Sequence, residues 1–381
     1  MSTLFESARK LWERAQWRMP PALERTLLPY LYELEELVVP FIKPDLDVWQ
    51  WQGQGTGSPL TVTYIGLEYF SWYLKEVMFT EEPQEIVKEP VSFWRPNEVA
   101  CAPGSDIVVV AGSERLIRRL PRQNAIVVPL YVQNRLPIQG EWDHLRDRLR
   151  KSKSVRNEFS WLGRYDYVCE ASRNYEDLEM HYHKMYLPTM AARHGDVAHI
   201  VSEDEARQHF RHGHLLFAKR DGEVVASGLC RAHGDTLRWV TIGVLDGDEQ
   251  LLQERVIGAM YILVIRWANQ TGYKYVDFLG CPPFLSMGVF RYKRKWGTRI
   301  GIPPDSHKQV WFKFQRDTPA VRHFLKENPC AVIDEQGDLR GLVVIDDPDA
   351  ITPELEARWD KDYLTPGMKS LLIRSFAQLL P

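Results

Sequence analysis

Cysteine is scarce in this sequence and is never closely paired. Five cysteines occur among 381 residues, at Cys101, Cys169, Cys230, Cys281 and Cys330. Zinc-binding motifs and disulfide frameworks need cysteines at short or regular spacings, so we predict neither of them here. We expect reduced thiols, which are typical of cytoplasmic proteins.

Long apolar segments are also absent. The longest apolar run, residues 259–265, is far shorter than the roughly 20 residues that a membrane-spanning helix needs. The opening segment MSTLFESARKLWERAQW contains no apolar core of the length found in signal peptides. The sequence therefore predicts a soluble, cytoplasmic protein with no stable membrane insertion.

A large charge of one sign is missing as well. The net charge is −3 and the pI is about 6.4, so DNA is an improbable partner and any contact with tRNA or phosphate must be confined to local patches. No Gly-x-Ser-x-Gly nucleophile elbow is present, which argues against a serine hydrolase. His181 and His183 would lie about 200° apart on a helix and cannot share a metal ion, so we predict no metal site.

Apolar residues are numerous enough to fill more than one hydrophobic core. Hydrophobic residues make up 44 % of the chain, and its length predicts two domains at about 150 residues each. Hairpin signals at Asp221-Gly222 and Gly234-Asp235 indicate three antiparallel strands in the second half. The predicted order there is helix 141–157, strand 165–171, helix 175–186, loop 189–200, helix 203–210, strands within 214–244, helix 252–270 and strand 273–280.

Patterns in the first half and in the tail are weaker. Apolar spacing predicts two helices in the opening segment and an amphipathic helix at the C-terminus that packs on the core. The remaining predictions are a turn-rich break at 50–59, a strand at 60–66, a helix at 67–78, an irregular stretch to 103, a strand–helix–strand unit over 106–133, a strand at 341–346 and a helix from 353.

Residues 272–297, GYKYVDFLGCPPFLSMGVFRYKRKWG, are the most informative stretch. A buried-type strand leads into a loop in which aromatic and basic residues interleave. Alternation in an extended loop would place Arg291, Lys293 and Lys295 on one side and Tyr292 on the other. Because such cations match phosphate or carboxylate, we predict an anion site. A solvated edge strand guarded by lysines is the alternative.

Five segments occur in this order along the chain: LRDRLRKSKS, HYHKMYLPTMAARHG, LLFAKRDGEVVASGL, GAMYILVIRWANQTGYKYVDFLG and VFRYKRKWG. Together they resemble the FemAB-like branch of the GNAT acyltransferase superfamily. The resemblance covers about residues 145–300 and implies transfer of an acyl or aminoacyl group to an amine. The implied fold class is α/β (α+β), with two GNAT-like domains that each contain a mixed, largely antiparallel sheet flanked by helices. We expect a degenerate domain at 1–145 and the acyltransferase domain at 146–381.

The resemblance implies acyl-CoA, or alternatively aminoacyl-tRNA, as the co-substrate. The superfamily places the CoA pyrophosphate at the start of the long helix, where N–H groups and the helix dipole favour anions. Arg255, Gly258 and Ala259 match that position in part. Met260 replaces a small residue, however, and nearby acidic residues oppose a pyrophosphate. In the alternative interpretation this is a plain helix whose small residues permit close packing.

The resemblance also implies a splayed central strand, here residues 237–244. Backbone N–H groups near Ile242 and Val244 would then face the donor. Asp277 would be the candidate base, and Tyr292 the candidate acid or a substrate clamp. For Asp277 the alternative is an ion pair with a neighbouring cation.

Residues expected near the acceptor complete the implied site. His194 resembles a family position near the acceptor pocket, and its alternative is a histidine at a helix end or in a loop. Tyr182 and Tyr186, at i and i+4, are candidates for stacking on the substrate, or else core residues. Lys293 matches a family lysine that faces a phosphate-bearing substrate, with the two neighbouring loop cations adding charge.

Three functional hypotheses follow. The first is an N-acyltransferase that uses acyl-CoA on the amine of a small or phosphorylated acceptor. The second uses aminoacyl-tRNA as the donor, and the third is a non-catalytic GNAT-like binding protein. No pattern in the sequence identifies the acceptor, the donor or the oligomeric state.

Overall fold

The computed structural model describes most of the chain. The described residues are 44–66, 72–195, 200–303, 308–347 and 351–381, with isolated positions between 27 and 41. The two helices predicted in the opening segment lie outside these five ranges. Among the described residues, no helix is both long enough and apolar enough to cross a membrane.

Strands and helices are numbered here in chain order. The strands are β1 (Asp45–Gly55), β2 (Ser58–Ile65), β3 (Gln84–Ser92), β4 (Ile107–Ser113), β5 (Ala125–Pro129), β6 (Val132–Pro137), β7 (Tyr167–Ser172), β8 (Gly213–Arg220), β9 (Glu223–His233), β10 (Thr236–Val244), β11 (Tyr275–Cys281), β12 (Arg299–Gly301), β13 (Lys308–Phe314), β14 (Cys330–Ile333), β15 (Leu339–Ile345) and β16 (Leu371–Ser375). The α-helices are α1 (Trp72–Met78), α2 (Pro96–Ala100), α3 (Glu114–Ile117), α4 (Trp142–Leu149), α5 (Lys153–Leu162), α6 (Tyr175–Met180), α7 (Leu187–His194), α8 (Glu203–Arg211), α9 (Glu249–Gln253), α10 (Val256–Gln270), α11 (Gly288–Arg294), α12 (Pro319–Glu327) and α13 (Pro353–Tyr363). A π-helix spans His181–Tyr186.

The chain forms two compact units that are discontinuous in sequence. Unit 1 contains residues 1–28, 134–279 and 295–299, and unit 2 contains residues 29–133, 280–294 and 300–381. We predicted two contiguous domains, residues 1–145 and 146–381. That the first is degenerate and the second is the acyltransferase domain stays a prediction.

The sheet that runs through unit 1 lies between two layers of helices. Its strand order is β12-β6-β11-β10-β9-β8-β7, in which β7 to β10 are antiparallel and β10 pairs with β11 in parallel. Alternation along β8 produces the two layers, since successive side chains point to opposite faces. Leu216 and Ala218 share a core with α10, whereas Leu215 and Phe217 share another with the π-helix.

Unit 2 contains a second mixed sheet and a smaller one. The first has the order β3-β1-β2-β4-β13-β5, in which only β2 and β4 are parallel among the described pairs. The second has the order β14-β15-β16. The predicted fold class, mixed and largely antiparallel sheets flanked by helices, is therefore confirmed.

Several predicted elements are wrong. The turn-rich break at 50–59 is a hairpin of β1 and β2, because WQWQG alternates and buries Trp51 completely. The C-terminal helix is instead β16, which pairs in parallel with β15. The helix predicted at 141–157 is two helices, the loop at 189–200 begins as helix α7, and the irregular stretch before residue 103 contains β3 and α2.

Candidate active site

The central feature of unit 1 is the divergence of two parallel neighbours, β10 and β11. They pair at only three positions, Thr236–Tyr275, Leu237–Val276 and Arg238–Asp277. Beyond Arg238, β10 continues to pair with β9 as far as Val244. The predicted splay of residues 237–244 from the following strand is present.

Aromatic rings fill the space beside the diverging strands. The Tyr261 ring on α10 lies 4.5 Å from that of Trp239 and 4.8 Å from that of Phe278, centroid to centroid. The Trp296 ring stacks on Tyr261 at 5.1 Å with an interplanar angle of 9°. Four aromatic rings thus meet beside the two strands, and the sequence prediction missed their convergence.

The backbone donors expected on β10 are partly engaged. The Val244 N–H donates to the Thr189 hydroxyl at 2.7 Å, and Thr189 donates to the Val244 carbonyl at 3.2 Å. A Cβ at Gly243 would lie 2.6 Å from the backbone of Met185 and Tyr186, so β10 passes unusually close to the π-helix. Ile242 is half-buried between these contacts and pairs with Gly228 of β9.

Asp277, the predicted base, is 1 % exposed and has internal partners. It lies 3.6 Å from the Arg238 guanidinium and accepts the Leu279 N–H at 2.9 Å. Leu279 adopts φ +62°, a left-handed conformation that costs free energy in a residue other than glycine. These contacts identify Asp277 as a residue that shapes the end of β11, and its role as a base stays a prediction.

A buried carboxylate occupies the predicted pyrophosphate position at the start of α10. Glu158 of α5 is 5 % exposed, and its Oε2 lies 2.1 Å from where a Cβ on Gly258 would be. Its Oε1 accepts a hydrogen bond from Lys295 at 2.7 Å and lies 3.8 Å from Arg255. Burial lowers the pKa of Lys295, and the Glu158 carboxylate opposes that shift. Ala259 is buried behind this turn.

The predicted basic loop is a helix, α11, so the expected alternation of Arg291, Lys293 and Lys295 is wrong. Arg294 donates to the carbonyls of residues 361, 362 and 364 at the end of α13, and burial lowers its pKa. Lys293 donates to the Gly280 carbonyl at 2.8 Å. Arg291 is exposed on the helix.

Tyr292 and His194 remain candidate residues with little geometric support. Tyr292 is half-buried on α11 in unit 2. His194 is the last residue of α7 in unit 1, and Gly195 follows with φ +54°. Their proposed roles as acid and acceptor contact stay predictions.

Tyr182 and Tyr186 pack in the core of unit 1, and their role in stacking on a substrate stays a prediction. The Tyr182 hydroxyl donates to the Val201 carbonyl at 3.1 Å, and the Tyr186 hydroxyl accepts the Val201 N–H at 2.8 Å. Both side chains are buried in the core with the π-helix. Their rings face protein atoms, and their hydroxyls fix the chain before α8.

Within the described ranges, one cluster has the composition of a metal site. Ligand atoms of Glu179, His183 and Glu203 lie within 4.8 Å of one another. Arg207 donates to both carboxylates, so one guanidinium offsets part of their negative charge. The prediction that the protein has no metal site stays a prediction.

The sequence of this region matches a known domain family. Residues 146–294 match the sequence model of the acetyltransferase (GNAT) domain. This part of the chain is a GNAT domain. The superfamily expected from the sequence is thus confirmed for residues 146–294, and the model that they match is that of an acetyltransferase domain. No curated protein matches the sequence.

Solved structures similar to this chain include the following three. FemX is 12 % identical, with 70 % of this chain and 83 % of that chain covered and a TM-score of 0.39. L-PGS from Bacillus licheniformis is 12 % identical, with 72 % and 87 % covered and a TM-score of 0.35. A GCN5-related N-acetyltransferase from Sphaerobacter thermophilus is 14 % identical, with 66 % and 71 % covered and a TM-score of 0.31.

The residues at the start of α10 do not fit the CoA pyrophosphate that the GNAT resemblance implies. Glu158 already fills the space above Gly258. Arg255, the expected phosphate ligand, lies against Glu158 and over the Trp161 ring. A pyrophosphate here would lie beside a buried carboxylate of the same sign, which is unfavourable at low dielectric.

Proposed function

We propose that this protein is an N-acyltransferase that moves an acyl or aminoacyl group from an activated donor to an amine. The observation that carries the proposal is the splay of β10 from β11 within a GNAT domain. Where two strands diverge, backbone polar groups lose their ladder partners and become available to a ligand. Such groups can stabilise the oxyanion that forms during acyl transfer.

The reaction requires no covalent enzyme intermediate. The amine nitrogen attacks the donor carbonyl, the C–N bond forms, and the bond to the oxygen or sulfur leaving group breaks. A base must accept the amine proton and an acid must protonate the leaving group. From the resemblance, Asp277 of unit 1 is the candidate base and His194 of the same unit is a candidate acceptor contact. Tyr292 belongs to unit 2 and is kept by itself as the acid that the resemblance implies.

Aminoacyl-tRNA is the donor that the surface charge favours over acyl-CoA. Cations crowd the corner between α4 and α5, where Arg150, Lys151, Lys153 and Arg156 are exposed. In the described part of the chain, none of the four pairs with an acidic side chain. Unpaired cations at this density suit the phosphate backbone of an RNA. At the position expected for the CoA diphosphate, by contrast, the carboxylate of Glu158 is already present.

The acceptor is proposed to be a small amine, with Arg291 and Lys293 of α11 contacting a phosphate if it carries one. Arg291 is exposed on α11. The Lys293 ammonium group donates to the carbonyl of Gly280, the first residue of the segment 280–294. For a phosphorylated amine, we expect Arg291→Ala to raise KM with little change in kcat, since a remote phosphate contact contributes to binding more than to chemistry. Lys369→Ala, which removes an exposed cation elsewhere in unit 2, is the control.

A turnover assay with two classes of donor tests the proposal. The full chain is incubated with a panel of amines and either radiolabelled acyl-CoAs of several lengths or aminoacyl-tRNA, and amide products are counted. We expect amide formation with aminoacyl-tRNA that RNase abolishes. Product with acyl-CoA alone would reverse the choice of donor. Binding of either donor without turnover on any amine would support the non-catalytic alternative and reject the enzyme.

A further inference from the structure

The carboxylate of Glu158 lies at the first turn of α10. Oε2 of Glu158 is buried and has no hydrogen-bond partner, while Oε1 is held by Lys295 at 2.7 Å. The Oε2 atom lies against Gly258, the third residue of a helix of 15 residues that no side chain caps. A helix N-terminus carries a partial positive charge, so an anion is stabilised at this place.

The surroundings of Glu158 form a cationic cradle. Lys295 and Arg255 approach the carboxylate, and the α10 dipole points its positive end toward it. Gly258 is the residue that permits this arrangement, because any side chain there would overlap the Glu158 carboxylate. The cradle therefore combines two cations, a helix terminus and a small residue around one buried negative group.

We propose that Glu158 substitutes internally for the diphosphate of a nucleotide-type donor and thereby closes the α10 turn to CoA. The inference deepens the proposed function by naming the residue that determines donor class. An external diphosphate would have to displace a carboxylate that is buried and paired, and would meet its like charge if it did not. Donors that carry no diphosphate at this position, such as an aminoacyl ester of RNA, are unaffected.

Removing the carboxylate should open the cradle. In Glu158→Ala, Lys295 and Arg255 lose their anionic partner, and the space above Gly258 becomes available. We expect this variant to bind inorganic pyrophosphate at least tenfold more tightly than the native chain does. The gain should disappear in Glu158→Ala/Arg255→Asn. Asparagine is chosen because Arg255 adopts φ +60°, a left-handed conformation that asparagine tolerates.

Isothermal titration calorimetry of the full chain with inorganic pyrophosphate measures these affinities. Circular dichroism spectra establish that each variant is folded. A folded Glu158→Ala variant that binds pyrophosphate no more tightly than the native chain would overturn the proposal. So would a native chain that binds pyrophosphate as tightly as Glu158→Ala does and loses that binding in Arg255→Asn. If Glu158→Ala does not fold, Glu158→Gln keeps the shape and removes the charge, and a gain of threefold or more is then required.

The binding experiment is independent of turnover. Absence of amide product with every donor would reject the proposed function, yet the Arg255-dependent gain in pyrophosphate affinity would still stand. Conversely, amide formation by the native chain together with no gain in pyrophosphate affinity in Glu158→Ala would support the proposed function. That result would reject Glu158 as the residue that determines donor class.

Discussion

His181 provides the sharpest test of the packing in unit 1. Its imidazole is 0 % exposed, with Nδ1 2.7 Å from the Ser227 hydroxyl and Nε2 2.8 Å from the Thr241 hydroxyl. Burial lowers the pKa of His181 to about 3. The ring therefore stays neutral in the folded protein at pH values where the unfolded chain is protonated.

The sign of the pH effect follows from this difference. Between the folded pKa of about 3 and the ordinary value of 6.5, the unfolded state binds a proton that the folded state does not. Stability is thus lost as the pH falls through that window, by about 1.4 kcal/mol per pH unit for one proton. From pH 7 to pH 4 the loss from this residue is about 3 kcal/mol. Burial lowers the pKa of His209 to about 3 as well, so it adds a parallel loss.

Denaturant unfolding between pH 4 and pH 6 measures this contribution. In His181→Gln, the free energy of unfolding should depend on pH less steeply than in the native chain, by about 1.4 kcal/mol per unit. The substitution itself lowers stability, so the comparison uses the slope of the free energy of unfolding against pH and not its absolute value. His183→Gln, the same change at a half-exposed histidine on the same π-helix, is the matched substitution control.

Equal slopes in native and His181→Gln protein would refute the reasoning. An NMR titration provides a second measurement, because the ring protons of His181 should keep their neutral shifts down to about pH 4. A midpoint near the ordinary histidine value would show that water reaches the ring.

Three further predictions concern single contacts. Lys295→Met should leave the buried Glu158 without its nearest cation and cost about 3–5 kcal/mol in chemical denaturation. A Glu158→Leu/Lys295→Met double variant should recover much of that loss, and no recovery would mean that the loss of the ion pair is not the cause. Arg294→Ala removes the donors to three carbonyls at the end of α13 and should speed hydrogen exchange there, at a cost of about 1–3 kcal/mol, whereas unchanged exchange would contradict the capping role. Gly243→Ala places a methyl group against the π-helix backbone and should lower thermal stability by about 1–3 kcal/mol, while Gly222→Ala, in open space, tests for strain from positive φ alone.

Part of the site could be predicted because its signals are local. The hairpins of β8 to β10 follow from Asp221-Gly222 and Gly234-Asp235, and positive φ at Asp221 and Gly222 matches the turn. The splay of β10 was expected from the resemblance and is present. Residue spacing could not show that Glu158 reaches Gly258, since the two are 100 positions apart and meet only when α5 packs on α10.

Other elements were misjudged because neighbouring structure outweighs weak local preference. The segment from Leu371 has helical spacing of apolar residues, but the exposed edge of β15 offers backbone hydrogen bonds that a strand can complete. The basic residues near Lys293 alternate in a way that suggests a strand or an extended loop, yet Gly288–Arg294 is helical.

The amino-acid order alone determined the meander of strands, because hydrophobic periodicity and turn residues act over a few positions. The superfamily was indicated by resemblance, which the sequence also carries by itself. Tertiary structure decided which charges are satisfied inside the protein. Lys295 meets a carboxylate 137 positions away, and Arg294 meets carbonyls 67 to 70 positions away. A cation's role depends on the nearest oxygen in space, and packing alone sets that distance.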